Sequence, residues 1–510
     1  MENERYIILE TLLAADDGSS GLKNNKTQTG ADPESGKDRA PGKDRAPGKD
    51  RAPGRDRQPG KDHEPESYDR ILRAVLARYS YLDRNRRNFI ARVVKGTIER
   101  REELDHIIDQ YSSVKTSKQK RVIRTILRMS VYQLKYMDHV PESAVCNEAV
   151  KLAAVKGFKN LKGFVNAVLR KIAQNRDNIL YPDRSSDICE YLRVKYSCPV
   201  YVTNLLLLQY GEEMTETILS QSLKERPVYA RCNLSKISVS ELVKRLNSEG
   251  LEAEALEIPD YAVKIRGFDP INKSESFNEG LFNIQDIGSM LAADLAGIKE
   301  GDTVLDVCGS PGGKTCHAAD ILKGSGRVYS RDLTEEKTDL IRDNVERCGF
   351  DIVICETQDA LIPTPELYGK CDVVIADLPC SGLGVMGRKV DIKYNADEEK
   401  TASLVRLQRD ILRVIYRYVK PGGILLFSTC TLNRTENEDN ARFIREELPF
   451  KPLPFTKLQE RPALEAARIR GISGADPDEG NILKLIPGVQ DMGDGMNYPD
   501  GFFISRFVRV

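Results

Sequence analysis

Apolar residues between residues 67 and 180 recur every three or four positions, which is the spacing of one face of an α-helix. The segment from Lys120 to Tyr136 shows the pattern most clearly, with apolar side chains along one stripe and basic ones opposite. The pattern therefore predicts an all-α domain over residues 67–180. Residues 1–15 are expected to supply the opening helix of the same domain.

A six-residue repeat, G-K-D-R-A-P, interrupts this domain between Gly36 and Pro65. Glycine, proline and paired opposite charges offer no apolar surface to bury, so nothing offsets the entropy of ordering the segment. We therefore predict that residues 16–66 form a disordered insertion. A role in RNA binding is the less favoured interpretation, because each repeat carries an aspartate beside its basic residues.

Residues 181–280 are predicted to form a helical connector and a small α/β domain. R-P-V-Y-A-R-C-N-L and Y-A-V-K-I-R-G-F have the composition of strands. V-S-E-L-V-K-R-L-N-S-E-G between them is typical of a helix that ends at Gly250. Arg231 and Asn233 form an R-x-N element, a weak signal by itself.

From Gly301 onward, short apolar runs alternate with amphipathic helical segments. This alternation predicts a parallel sheet covered by helices on both faces, a Rossmann-like α/β domain assigned to residues 281–510. Ligands of such sheets bind beyond the carboxyl ends of the strands. The last residues of each predicted strand are therefore the candidates for chemistry.

The first of these strands runs into a glycine-rich turn, D-V-C-G-S-P-G-G-K-T, from Asp306 to Thr315. Glycines allow the backbone to approach a ligand, and the helix that follows favours negative groups at its N-terminus. The turn is not a P-loop, because that pattern needs a glycine where this chain has Cys308. The next strand ends at Asp332, whose carboxylate can accept hydrogen bonds from ribose hydroxyls. These features fit any nucleoside cofactor, NAD included.

Two later strand ends carry cysteines, in D-L-P-C from Asp377 and in F-S-T-C from Phe427. Hydride transfer needs neither thiol. A thiolate that adds to carbon 6 of cytosine makes carbon 5 nucleophilic toward a methyl sulfonium, and a second thiol can assist its later expulsion. A carboxyl or charged donor at the base stabilises the charge that develops. Cys430, Cys380 and Asp377 are therefore the candidate catalytic residues.

Five ordered motifs resemble the Sun/Fmu family of RNA 5-methylcytosine methyltransferases, a class I S-adenosylmethionine-dependent fold. They are F-N-I-Q-D (282–286), D-V-C-G-S-P-G-G-K-T (306–315), D-L-P-C-S-G-L-G-V (377–385), F-S-T-C-T-L-N-R-T-E-N-E (427–438) and D-G-F-F (500–503). The resemblance implies S-adenosylmethionine as cofactor, Cys430 as nucleophile and Cys380 as the thiol that assists release. The cofactor contacts that it implies are Cys308, Gly309, Ser310, Pro311, Gly312, Gly313, Lys314, Asp332, Asp359 and Asp377.

The helical segment resembles the NusB-like RNA-binding domain in its residues 83–89, 126–134, 145–150 and 163–171. Joined to this catalytic domain, it is similar to family members that modify the small ribosomal subunit, which implies one cytosine of 16S ribosomal RNA as the target. The same chemistry on tRNA or another RNA is an alternative. A second alternative is a non-catalytic RNA-binding assembly factor. The presence of both thiols argues against it.

The chain departs from the family pattern beside the candidate site. Leu378 follows Asp377 at a position where the family usually has alanine. Gly309 and Ser310 occupy two positions where the family usually has Ala-Ala. Val390 and Tyr394 occupy positions of a usual proline and tryptophan. None of these replaces a proposed catalytic group, but they bear on how the target base is held.

The distribution of charge and of cysteines indicates which binding partners to expect. The net charge is zero, yet residues 67–180 hold about 24 basic against about 11 acidic residues, which favours a polyanion such as RNA. Eleven scattered cysteines without a C-x-x-C pair, and four histidines, predict no metal site. The absence of a secretory leader or a long apolar run predicts a cytoplasmic protein without membrane contact. We expect it to act as a monomer.

Overall fold

The computed structural model describes residues 3–17, 67–267, 271–455, 480–490 and 499–510. The predicted insertion lies outside these residues except for Asp16 and Asp17, which are the last residues of the first helix. The chain divides into two compact units, Met1–Ile98 with Ile108–Arg176, and Glu99–Ile107 with Asp177–Val510. Among the described residues, no helix is both long enough and apolar enough to cross a bilayer.

The first unit is helical, as predicted. The helices that run through residues 4–174 are α1 (Glu4–Asp17), α2 (Tyr68–Arg78), α3 (Arg84–Glu99), α4 (Arg101–Tyr111), α5 (Arg121–Tyr136), α6 (Glu142–Val155) and α7 (Lys162–Gln174). Helix α5 is buried along most of its length and packs against α1, α6 and α7. Gly96 of α3 permits a close approach to α5, since a Cβ there would lie 2.0 Å from the ring of Tyr132.

Helix α1 packs within this unit although the long insertion follows it. Its side chains Ile8 and Leu9 are fully buried, and Ile7 and Leu12 are nearly so. Its polar side is held by an ion pair between Glu4 and Arg86 and by Arg5, whose Nε donates to Oε1 of Gln133 at 2.9 Å. The N-terminal residues are therefore part of the helical core.

Besides residues 99–107, which hold most of α4, the second unit contains helices α8 (Ile188–Lys195) and α9 (Val200–Ser222), followed by a small antiparallel sheet. The elements of the small sheet and its helices are β1 (Val228–Cys232), α10 (Val239–Ser248), β2 (Glu252–Ala255), β3 (Ala262–Arg266), α11 (Glu275–Asn278) and β4 (Phe282–Ile284). The strand order is β2-β3-β1-β4. Strand β4, which lies in the F-N-I-Q-D motif, thus pairs with β1 and not with the large sheet.

The large sheet follows. Its strands and helices are α12 (Ile287–Asp294), β5 (Thr303–Asp306), α13 (Gly313–Leu322), β6 (Arg327–Asp332), α14 (Glu335–Cys348), β7 (Val353–Thr357), β8 (Cys371–Asp377), α15 (Ile392–Asn395), α16 (Glu398–Ile415), β9 (Val419–Thr429), α17 (Glu438–Glu447), β10 (Phe450–Pro452), β11 (Ile482–Leu485) and β12 (Phe502–Arg509). Within the described residues the order is β10-β12-β9-β8-β5-β6-β7, with β11 paired to β12.

This sheet is mixed, whereas the alternation of strands and helices predicted a parallel one. Strands β5 to β9 are parallel, but β12 runs antiparallel to β9, and β10 and β11 run antiparallel to β12. The reversal has a consequence for the site. Because Phe503 is paired with Thr429, the chain just before β12 reaches the same edge of the sheet as the residue after β9.

The central strands are buried on both faces. Val304, Val373 and Leu426 lie in one apolar cluster, and their neighbours Leu305 and Val374 lie in the other. Successive side chains of a strand point to opposite faces, so helices must cover both sides of the sheet. Polar side chains that could contact a ligand are therefore expected at the ends of these strands.

Candidate active site

The turn after β5 is shaped by contacts that only small residues allow. A Cβ on Gly309 would lie 2.3 Å from the hydroxyl of Ser330, and Gly312, at the start of α13, has a φ of 105°. Thr315 donates to Oδ2 of Asp306 at 2.7 Å, so the first turn of α13 is tied back to the end of β5. The backbone therefore crosses the carboxyl end of the sheet at close range.

Asp306 is fully buried, and burial raises the pKa of its carboxyl to about 6, although the hydrogen bond from Thr315 opposes this. Its other oxygen, Oδ1, is buried without a hydrogen-bond partner in the described structure. An unpartnered buried acceptor beside an open turn suits a ligand that brings a donor.

Asp332, at the end of β6, faces the same turn. Its carboxylate accepts hydrogen bonds from the backbone N–H of Ser310 at 3.1 Å and of Leu333 at 2.8 Å. Asp359 lies beyond the end of β7, where its Oδ1 accepts from the N–H of Leu361 at 2.9 Å. The two carboxylates singled out from sequence therefore lie at the end of β6 and just beyond the end of β7, on adjacent strands.

Lys314 makes a contact that sequence did not indicate. Its Nζ donates to Oδ2 of Asp377 at 2.5 Å, while Oδ1 of Asp377 accepts from the hydroxyl of Ser428 at 3.0 Å. Burial disfavours the ammonium, but the carboxylate of Asp377 outweighs it and raises the pKa of Lys314. An ion pair thus joins the turn after β5 to the end of β8.

Cys380 and Cys430 lie side by side. Their Sγ atoms are 3.4 Å apart, and both side chains are half-buried. A hydrogen bond from Cys380 lowers the pKa of the Cys430 thiol most, burial and the carboxylate of Asp377 oppose it, and Lys389 and Lys314 lower the pKa further. The same hydrogen bond and burial raise the pKa of Cys380. The arrangement favours a thiolate at Cys430 and a thiol at Cys380.

Two glycines hold the loops of these cysteines together, and neither was singled out from sequence. The N–H of Gly384 donates to the carbonyl of Cys430 at 3.0 Å, and the N–H of Gly501 donates to the carbonyl of Gly384 at 2.9 Å. A Cβ on Gly384 would lie 2.0 Å from the carbonyl oxygen of Gly501. The sequence could have indicated this contact only through the presence of Gly384 in the motif of residues 377–385 and of Gly501 in the motif of residues 500–503.

A buried cluster of charges borders the same loops. Asp500, which is fully buried, pairs with Arg226 at 2.8 Å and with Arg388. Arg388 also reaches Asp286 at 3.3 Å. The first and last family motifs are therefore joined to the loop that follows Cys380.

Other residues singled out from sequence have packing contacts. Arg231 pairs with Asp320 at 2.7 Å in the interior, and Asn233 donates to the carbonyl of Gly280 at 2.9 Å. Val390 is buried, and Arg101 lies 3.7 Å above the ring of Tyr394. Cys308 is half-buried, and burial raises its pKa. Among the described residues no group of three or more histidine, cysteine or acidic side chains is placed to hold a metal ion.

Comparison with known proteins agrees with this geometry. Residues 294–508 match the family described as 16S rRNA methyltransferase RsmB/F, residues 56–174 match the NusB family, and residues 198–272 match an RsmF/B-like ferredoxin-like domain.

A probable ribosomal RNA small subunit methyltransferase B of Bacillus subtilis is 34% identical over 390 residues, which are 76% of this chain and 86% of the relative. A methyltransferase homolog protein from Pyrococcus horikoshii, of known structure, is 26% identical with a TM-score of 0.52, over 62% of this chain and 98% of that one. The crystal structure of PH0851 has a TM-score of 0.70 at 24% identity, over 86% of this chain and 94% of that one.

The predicted fold class is confirmed, as are the methyltransferase activity and the cofactor, S-adenosylmethionine. The chain belongs to the RsmB/F family of 16S rRNA methyltransferases.

Proposed function

We propose that this enzyme methylates carbon 5 of one cytosine in 16S ribosomal RNA through a covalent bond between Cys430 and carbon 6 of the base. The observation that carries the proposal is the distance of 3.4 Å between the thiols of Cys380 and Cys430, at the ends of two adjacent strands. O-methylation or N-methylation requires no thiol, whereas methylation of a pyrimidine carbon requires a nucleophile to activate the ring.

The cofactor-binding residues are proposed from their place around the turn after β5. Cys308 to Lys314 supply backbone N–H groups and carbonyls, with Asp332 at the ribose hydroxyls and Asp359 at the base. Asp377, held by Lys314 and Ser428, lies between this turn and the thiols. When bound, S-adenosylmethionine supplies an electrophilic methyl group.

Each catalytic group has one task in the proposed reaction. The Cys430 thiolate bonds to carbon 6, and the electron pair of the C5–C6 double bond moves to carbon 5, which takes the methyl group as the bond between that methyl group and the sulfonium sulfur breaks. Water then accepts the carbon-5 proton, the electron pair of that C–H bond re-forms the double bond, and the bond between carbon 6 and sulfur breaks with its electron pair on Cys430. Cys380 lies near enough to donate to the departing thiolate, and the Asp377–Lys314 pair supplies a charged donor for the charge that develops on the base.

The identity of the RNA is proposed on separate grounds. The relative from Bacillus subtilis carries small-subunit ribosomal RNA in its name, and the NusB-like segment has an excess of basic residues. The helical unit is proposed to contact RNA phosphates, which would make binding weaken as salt increases. Such a substrate places the enzyme in the cytoplasm.

The test is a methylation reaction with purified full-length enzyme and cofactor carrying a labelled methyl group. Unmodified 16S RNA, small subunits and tRNA are offered separately, and the labelled nucleoside is identified by mass spectrometry. We expect 5-methylcytosine at one position of 16S RNA. Label in tRNA alone would overturn the choice of substrate, and a labelled nucleoside other than 5-methylcytosine would overturn the chemistry.

A further inference from the structure

Glu436 belongs to the E-N-E sequence after Cys430, for which the proposed reaction has no role. Its side chain is fully buried, and it lies between the loops of the two cysteines. Oε1 accepts from the backbone N–H of Ser381 at 2.8 Å, and Oε2 accepts from the hydroxyl of Ser381 at 2.6 Å. Both carboxylate oxygens are thus committed to the residue that follows Cys380.

Two further donors contact the carboxylate of Glu436. Nδ2 of Asn433 donates to Oε2 at 3.0 Å, and Nε2 of Gln408 lies 3.5 Å from Oε1. Gln408 also donates to the carbonyl of Pro379 at 2.8 Å, on the other side of Cys380. The peptide groups before and after Cys380 are therefore both connected to one buried polar network.

The same network reaches the loop of Cys430. The hydroxyl of Ser381 lies 2.7 Å from that of Thr431, the residue after Cys430, and Nδ2 of Asn437 donates to the carbonyl of Thr431 at 2.9 Å. Buried carboxylates are costly unless their oxygens are satisfied, so a charge retained here needs several donors, and it has them. The network spans the two turns that carry the thiols.

We propose that Glu436 is a positioning residue of the two-thiol site, whose carboxylate fixes the Pro379–Ser381 turn so that the Cys380 thiol can donate to Cys430. The inference rests on the proposed function, since it assigns Cys380 a task in the release of Cys430.

The charge of Glu436 supports the same division of labour. The hydrogen bond with Cys430 and burial raise the pKa of Cys380 most, and the carboxylates of Glu436 and Asp377 raise it further. For Cys430, the hydrogen bond from Cys380 lowers the pKa most, burial and the carboxylate of Asp377 raise it, and Lys389 and Lys314 lower it further. A thiol that keeps its proton can donate to the thiolate that leaves carbon 6, so Glu436 favours release over renewed attack.

The substitution Glu436→Gln keeps the size of the side chain and removes its charge. It also turns one acceptor into a donor that faces other donors. The control is Glu438→Gln in the same motif, because Glu438 is half-buried and pairs with Lys484 at 2.7 Å, away from Ser381. Both variants lose one carboxylate of the same loop, and only Glu436→Gln changes contacts with the turn of Cys380.

The first readout is the alkylation of Cys380 and Cys430 by iodoacetamide as a function of pH, measured for each peptide by mass spectrometry without RNA. We expect Glu436→Gln to lower the pH midpoint of Cys380. If that midpoint falls by about one pH unit, the alkylation rate of Cys380 relative to Cys430 rises about tenfold near neutral pH. Glu438→Gln should leave the ratio unchanged. An unchanged ratio in Glu436→Gln would overturn the inference whatever the enzyme methylates.

The second readout is the denaturant-resistant complex with 16S RNA. We expect Glu436→Gln to accumulate this complex while turnover falls, because addition proceeds and release slows. A merely structural role would lower complex and turnover together, and that result would overturn the inference. If Glu436→Gln does not fold, Ser381→Ala removes one of the same contacts and should shift the alkylation ratio in the same direction by a smaller factor.

Discussion

Cys380 and Cys430 carry the same chemical group 3.4 Å apart, yet the segments that hold them are built differently. Cys430 follows β9 directly, and the neighbouring residue Thr429 is paired with Phe503 of β12. Cys380 lies in a turn three residues beyond Asp377, where side chains fix the backbone. The position of one thiol is set by a sheet, and that of the other by a polar network.

The difference extends to charge. The carboxylate of Asp377 raises the pKa of both thiols, but Lys389 and Lys314 oppose it at Cys430, whereas Glu436 adds to it at Cys380. Two chemically identical groups can thus take opposite roles when their neighbours differ, which is how enzymes separate an attacking group from an assisting one. Substitutions at and around the two thiols test whether this division holds.

The largest effect is expected for Cys430→Ala. Without the nucleophile, turnover should fall by at least about 10⁴-fold, the scale reached when such a group is removed. Cofactor affinity, measured by calorimetry, should stay within a few-fold, because the turn after β5 is unchanged. The control is Cys355→Ala, a half-buried thiol on β7. Residual turnover above a tenth of wild type would assign the attack to another group.

Cys380→Ala should separate attack from release. We expect turnover to fall by about 10²- to 10⁴-fold, as for the loss of a proton-transferring group, while a denaturant-resistant complex with RNA accumulates. A gel-shift assay with labelled RNA after denaturation measures the complex. The double variant with Cys430→Ala should form none, and a complex that survives there would show that Cys430 is not the attacking thiol.

Lys314→Met tests the charge that favours the Cys430 thiolate. Loss of the ammonium should raise the pKa of Cys430, so the rise of its alkylation rate with pH should move to higher pH. At a fixed pH below the midpoint, the rate should fall about tenfold for each pH unit by which the midpoint rises. Lys323→Met, at the exposed C-terminal end of α13, is the control. An unchanged profile would show that the Lys314 ammonium does not contribute to the lowered pKa of Cys430.

The places of the main site residues along the chain could be predicted from sequence, because they depend on local patterns of apolar and polar residues. The alternation of strands and helices placed Asp306, Asp332, Asp377 and Cys430 at strand ends, because hydrophobic periodicity reports where strands stop. Strand β2 was not predicted, since Glu252–Ala255 is polar and lies at the edge of the small sheet, where no core demands apolar residues.

The contacts that give each group its role could not be predicted in the same way. Lys314 and Asp377 are 63 residues apart in the chain, and Ser381 and Glu436 are 55 apart. No local pattern reports such pairs, because they depend on how the loops meet after the sheet has formed. The motifs indicated which residues mattered, and the structure indicates what they contact.

The smallest effect is expected for Gly384→Ala, which tests the join between the two cysteine loops. A Cβ there would lie 2.0 Å from the carbonyl oxygen of Gly501 and 2.7 Å from that of Cys430, so the backbones must separate. We expect a loss of about 1–3 kcal/mol in the free energy of unfolding, measured by denaturant titration. Gly163→Ala is the matched control, because a Cβ there meets nothing within 4 Å and its helical position favours alanine. If both variants had wild-type stability and the alkylation rates of Cys380 and Cys430 kept their wild-type ratio, the sheet alone would hold the two thiols together.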